Sequence, residues 1–203
     1  MALQIHRKLH NGSSLGIWLI EEPESFFYEH LGVVEFMPEK RLNKQLEKLA
    51  ARHLLNTMNG KPVHSQLIYD AFGKPFLRED PRFISFSHKY PFVALVMSSH
   101  PFTGIDMERL SNIPHKLRSK FVGPEDCVDL ITSDPLEQAT LIWSAKECLY
   151  KVYGKKALDF KEHMRVWVNA DQKLMGRVQK KSHTIELELH YFVFQNHAVV
   201  HTI

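Results

Sequence analysis

Three features of the 203-residue sequence predict an α+β fold. Helical patterns fall in the middle of each half of the chain, strand patterns fall at both ends of each half, and no regular strand–helix–strand alternation builds a parallel sheet. With 44% hydrophobic residues, the chain can bury a substantial core and reads as a globular protein.

Leu15 to Ile20 (LGIWLI) reads as an early buried strand. A helix is predicted over Pro38 to Met58, with Pro38 in its first turn and Gly60 past its end. Leu42, Leu46, Leu49 and His53 mark its core face, and Arg41, Lys44, Lys48 and Arg52 form a separate basic stripe. That stripe fits a solvated surface, or a surface that meets phosphates or an acidic partner. Gly73-Lys74-Pro75 is a turn, and Phe83 to Ser87 and Phe92 to Met97 are strands separated by His88-Lys89-Tyr90-Pro91. Thr103 to Met107 is a further short strand, and Ser111 to Asp134 is polar with short helical stretches. Asp134, Pro135 and Glu137 provide a cap, a first-turn proline and an acidic third position, so a helix runs from there to about Tyr153 and stops at Gly154. Arg165 to Val168 and His183 to Ile203 alternate as strands, with Ile185, Leu187 and Leu189 on one face and Glu186 and Glu188 on the other.

The composition excludes several function classes. A formal charge of +3 suits phosphate ligands or an acidic protein surface and is too small to imply nucleic acid. Cys127 and Cys148 make neither a disulfide framework nor a CxxC metal site, so the expected setting is reduced and cytoplasmic. Met1 to His10 lacks the apolar region of a secretory signal, and no run approaches the roughly 18 apolar residues of a membrane span. The pairs His6/His10 and His197/His201 enclose no glutamate in the HExxH manner and read as isolated histidines.

Three segments carry chemistry. In Gly104-Ile105-Asp106-Met107-Glu108, residues two apart on a strand share a face, so Asp106 and Glu108 project together while Ile105 and Met107 point into the core. Paired carboxylates repel unless a cation lies between them, and hard oxygen ligands suit Mg²⁺; taken alone, such a pair is more often a solvated strand edge. In Trp143 to Lys151 (WSAKECLYK), Ile142, Ala145, Leu149 and Val152 form the core stripe, and Glu147 and Lys151 lie four apart on roughly the opposite side. The bordering Trp143 and Tyr150 suggest a cleft where an ordinary surface ion pair would have polar neighbours. In Ser85-Phe86-Ser87-His88, a histidine at a strand end can donate to a phosphate oxygen.

Together, GKP (Gly73 to Pro75), SFSH (Ser85 to His88), GIDME (Gly104 to Glu108) and WSAKECLYK (Trp143 to Lys151) resemble, in order, the signature blocks of the 4′-phosphopantetheinyl transferases. The length is similar to that of the larger, monomeric type that activates fatty-acid, polyketide and peptide synthetases. The resemblance implies two similar halves related by a pseudo-twofold, 1–100 and 101–203, with the active site between them. It implies transfer of the phosphopantetheine arm of coenzyme A to a serine of an acidic acyl or peptidyl carrier protein, with Mg²⁺ or Mn²⁺ as cofactor. It assigns Asp106, Glu108 and Glu147 to the metal, and Lys74, Arg52, Ser87, His88 and Lys151 to coenzyme A. Catalytic roles fall to Glu147, as candidate general base, and to Lys151 and His88. Family members often carry asparagine where Ser85 stands and serine where Lys89 stands. A metal-dependent phosphoesterase, or a non-catalytic module that binds coenzyme A or a carrier, would also use parts of this pattern.

Overall fold

The computed structural model describes residues 2–9, 12–32, 42–181 and 183–202. The start of the helix predicted from Pro38, with Arg41, lies outside the described residues, as does His10. The chain divides into two compact units, Met1–Pro101 and Phe102–Ile203. Each is α+β, an antiparallel sheet with one long helix laid on it.

The first unit holds strands β1 (Leu3–Lys8), β2 (Ser14–Leu19), β3 (Leu67–Tyr69), β4 (Pro75–Leu77), β5 (Phe83–Lys89) and β6 (Phe92–Ser98), and helices α1 (Glu24–Leu31) and α2 (Leu42–Asn59). Its sheet order is β1-β2-β6-β5-β4-β3. The helix α2 lies over β6 and β2, and Leu46, Leu49, Ala50, Leu54 and Leu55 meet Val93, Leu95 and Met97 in one core. Leu42, expected on the core face, is 62% exposed. The helical period places it there, but it opens the described helix, ahead of the residues that reach the sheet. Gln45 and Glu47 are buried instead. Glu47 accepts from the backbone N–H of Tyr90 at 3.0 Å and from Lys44 Nζ at 2.7 Å, tying the helix to the β5–β6 turn. One member of the basic stripe is thus spent on an internal carboxylate.

The second unit holds β7 (Ile105–Arg109), α3 (Asn112–Phe121), α4 (Pro135–Tyr153), β8 (Met164–Val168), β9 (Leu174–Lys180), β10 (His183–Phe194) and β11 (His197–His201), with sheet order β7-β11-β10-β9-β8. The long β10 pairs with β9 through its first part and with β11 through its last. The α4 ends are those read from sequence: the Asp134 side chain accepts from the Leu136 N–H, Pro135 opens the helix, and Gly154 closes it at φ 65° with its N–H on the Tyr150 carbonyl. Its core face, including Ala145, Leu149 and Cys148, packs on Val166, Val178, Leu189 and Val200. Burial pushes the Cys148 thiol far above its usual range, so it is no nucleophile.

Gly104 sets how closely α4 approaches β7. A Cβ there would stand 2.7 Å from the Cys148 carbonyl oxygen and 2.8 Å from Val152 Cγ2, and the backbone oxygen cannot give way. Gly104→Ala is therefore expected to destabilise the protein by about 1–3 kcal/mol, the usual cost of overpacking, read as a lowered midpoint in thermal or urea unfolding. An unchanged midpoint would show that α4 can move off the strand.

Candidate active site

The site of the second unit grows from an edge strand and a helix. The edge strand β7 places Asp106 opposite Val200 and Glu108 opposite Ala198 on β11. Directly opposed residues share a face, and Val200 belongs to the core under α4, so both carboxylates are on the helix-bearing side. Ile105 and Met107, on the other face, are also buried. Asp106 is only 7% exposed, so its carboxylate is no solvated strand edge, while Glu108 is half-buried.

Two α4 side chains, seven residues or two turns apart, converge on Asp106. Ser144 Oγ donates to Oδ2 at 2.8 Å, and Lys151 Nζ donates to Oδ1 at 2.8 Å. The same ammonium donates to the Ile105 carbonyl at 2.8 Å. Spacing made Glu147 the expected neighbour of Lys151; the lysine instead reaches across to the strand, to the more deeply buried carboxylate of Asp106. Glu147 sits within this field. Its pKa is raised to about 7, first by burial and then by the Asp106 carboxylate; Lys151 opposes the rise and Glu108 adds to it.

The three carboxylates suit a divalent cation by donor type and by charge: hard oxygens, mutually repelling, with one lysine to balance them. Asp106 now gives its oxygens to Ser144 and Lys151. Among the described residues, no three His, Cys, Asp or Glu side chains are gathered into a ready coordination set.

Trp143 and Tyr150 pack into an aromatic cluster. Trp143 meets Phe121 (ring centroids 5.0 Å apart) and Phe160 (5.4 Å), and Tyr150 meets Phe160 (5.9 Å), an aromatic cluster between α4, the end of α3 and the segment after α4. Beneath it lies Lys146, a residue the sequence reading passed over. It is fully buried and ion-paired to Asp126 at 2.5 Å. The only signal in the sequence was a lysine one step from the core stripe.

The first unit holds the other predicted residues. The guanidinium of Arg52 donates to the Lys48 carbonyl at 3.0 Å. Its pKa is lowered by burial, with the Tyr69 hydroxyl opposing, and its charge also lowers that of His64. The pKa of Lys74 is lowered by burial, with Asp70 opposing. The Asp70 carboxylate fixes the GKP turn by accepting from the N–H groups of Phe72 and Lys74. His88 is exposed near the end of β5, its ring 6.1 Å from that of Phe86. Ser87, one residue earlier, is buried and turned to the opposite face, so the two do not present a shared surface.

Residues 103–202 match the family model of the 4′-phosphopantetheinyl transferase superfamily, a span that contains β7, α3, α4 and the whole C-terminal sheet. The match supports phosphopantetheinyl transfer as the general activity. No curated protein matches the chain.

The raised Glu147 carboxyl has a measurable consequence in the metal-free protein. Between its ordinary 4.5 and about 7, the folded chain holds a proton that the unfolded chain releases, so stability falls as pH rises through that window. Glu147→Gln should flatten this slope, raising the melting temperature at pH 8 relative to pH 5. Identical slopes in the two proteins would mean that Glu147 titrates as it does in water.

Proposed function

We propose that this protein is a 4′-phosphopantetheinyl transferase that moves the phosphopantetheine arm of coenzyme A to a serine of an apo acyl or peptidyl carrier protein, with Mg²⁺ as cofactor. The observation that carries the reading is the meeting of GIDME and WSAKECLYK at Asp106, inside the span that matches the superfamily.

In this reading the serine Oγ attacks the β-phosphorus of coenzyme A. The bond from that phosphorus to the bridging oxygen breaks, and adenosine 3′,5′-bisphosphate leaves. The serine proton passes to the Glu147 carboxylate, the candidate general base, and from there to solvent. The ammonium of Lys151, preorganised between strand and helix, faces the charge that grows on the transferring phosphoryl group. Asp106, Glu108 and Glu147 would hold the cation, which supplies neutralisation of the pyrophosphate charge when bound. In the first unit, Arg52, Lys74 and His88 would meet the phosphates of coenzyme A. The partial burial of Arg52 and Lys74 supports this, since a cation in drier surroundings holds an anion more firmly. The buried Ser87 lends less support.

For the carrier, α3 is the better surface than the α2 stripe. Its residues Asn112–Phe121 include no Asp or Glu, and it exposes Lys116, Arg118 and Lys120. It also exposes Ile113 at 67% and Leu117 at 41%, one turn apart. A basic face with two apolar side chains complements an acidic, amphipathic helix, and complementary fields speed the encounter.

Two outcomes follow in a steady-state assay of bisphosphate release. Asp106→Asn and Lys151→Met should each lower kcat by about 10² or more, a loss of several kcal/mol of barrier; near-native kcat in either would remove that residue from the mechanism. Added salt should raise the KM for the carrier more than that for coenzyme A, and equal sensitivity would count against an electrostatic docking face.

A further inference from the structure

We propose that Lys146 is a positioning residue that sets α3, and with it the carrier-docking face, against α4; the inference rests on the reading of α3 given above. The Lys146 side chain is 0% exposed, and its Nζ donates to three oxygens: the Phe121 carbonyl at 2.8 Å, the Phe160 carbonyl at 2.8 Å and Asp126 Oδ2 at 2.5 Å. The side chain of Asp126 is 1% exposed and also accepts backbone N–H groups, Gly123 on Oδ2 at 2.7 Å and Val166 on Oδ1 at 2.7 Å. One buried ammonium thus joins α4 to the last residue of α3, the connection at 123–126, the segment after α4 and strand β8.

A buried ion pair adds little net stability over apolar side chains of the same volume, because desolvation offsets the attraction. What this pair supplies is a fixed geometry. The Phe121 carbonyl belongs to the last turn of α3, where carbonyls lack helical partners and a cation matches the helix dipole. From the surface, Lys161 Nζ reaches the neighbouring Ser119 carbonyl at 3.2 Å, and the Trp143 ring leans on Phe121. At its other end Ser111 caps α3 on the Ile113 N–H at 3.4 Å, and the preceding Leu110 N–H donates to the Asn196 carbonyl at 2.9 Å. At the Phe121 end, Lys146 is the buried charge that holds the helix in the direction presenting Ile113, Lys116 and Leu117.

The test compares three variants in steady-state transfer from coenzyme A to an apo carrier protein with Mg²⁺: Lys146→Met, the double variant Lys146→Gln/Asp126→Asn, and Lys116→Glu on the α3 surface. The double variant leaves no buried charge unpaired and carries the measurement if Lys146→Met fails to fold. Both Lys146 variants should raise the KM for the carrier by about fivefold or more, the lower end of typical coupling between sites. The KM for coenzyme A should stay in place, and the Val122 amide, which donates to the Arg118 carbonyl, should exchange faster with deuterium. A merely structural role would lower kcat through loss of folded enzyme and leave the carrier KM unmoved. If Lys116→Glu raises the carrier KM and the Lys146 variants do not, the positioning role is overturned. If Lys116→Glu also leaves it unchanged, the docking face itself is wrong and the inference falls with it.

Discussion

A carboxylate at Asp106, nearly closed to solvent on an edge strand, cannot remain without partners, and the partners it takes fix the C-terminal unit. Ser144 and Lys151 reach it from one face of α4, two turns apart, and Gly104 lets the helix come close beside Cys148, midway between them. Strand and helix are thereby locked in both rotation and register. The remaining packing, α4 over Val166, Val178, Leu189 and Val200, follows from that alignment.

The same stretch of helix faces two ways. Toward β7 it offers Ser144 and Lys151, with Glu147 left in the field of Asp106 and Glu108 and raised to about 7. Toward α3 and the following segment it offers Trp143, Lys146 and Tyr150, which close a dry polar knot under aromatic rings. A segment of nine residues therefore holds both a carboxyl raised to about 7 and the brace of a neighbouring helix. This explains why so much of its chemistry sits on side chains that are not themselves on the apolar stripe.

The α+β class and the long helices were legible because period and caps act locally: Asp134, Pro135 and Gly154 do in the structure what their chemistry requires. The carboxylate pair was legible as a pair, but its direction was not. Alternation tells which residues share a face and not which face a helix will cover. Strand β9 escaped notice because Gly176 and the charged residues of Leu174–Lys180 blur its pattern, although Gly176 is there for close contact with Leu149 and Leu189. Strand β1 was hidden by its basic residues, which suit an edge of the sheet. Lys146 was illegible for a deeper reason. Its partners Asp126, Phe121 and Phe160 are distant in sequence, and no local rule marks a lysine as buried. No helix of the described residues is long and apolar enough to cross a membrane, in line with the short apolar runs of the sequence.

Whether this chain transfers phosphopantetheine at all is tested directly by intact-mass spectrometry of an apo carrier protein incubated with the protein, coenzyme A and Mg²⁺. The expected result is a carrier heavier by one phosphopantetheine group, formed with wild-type protein and absent with chelator. An unchanged carrier mass across several acyl and peptidyl carriers, with coenzyme A still bound by the protein, would contradict it and leave a binding module in place of a transferase.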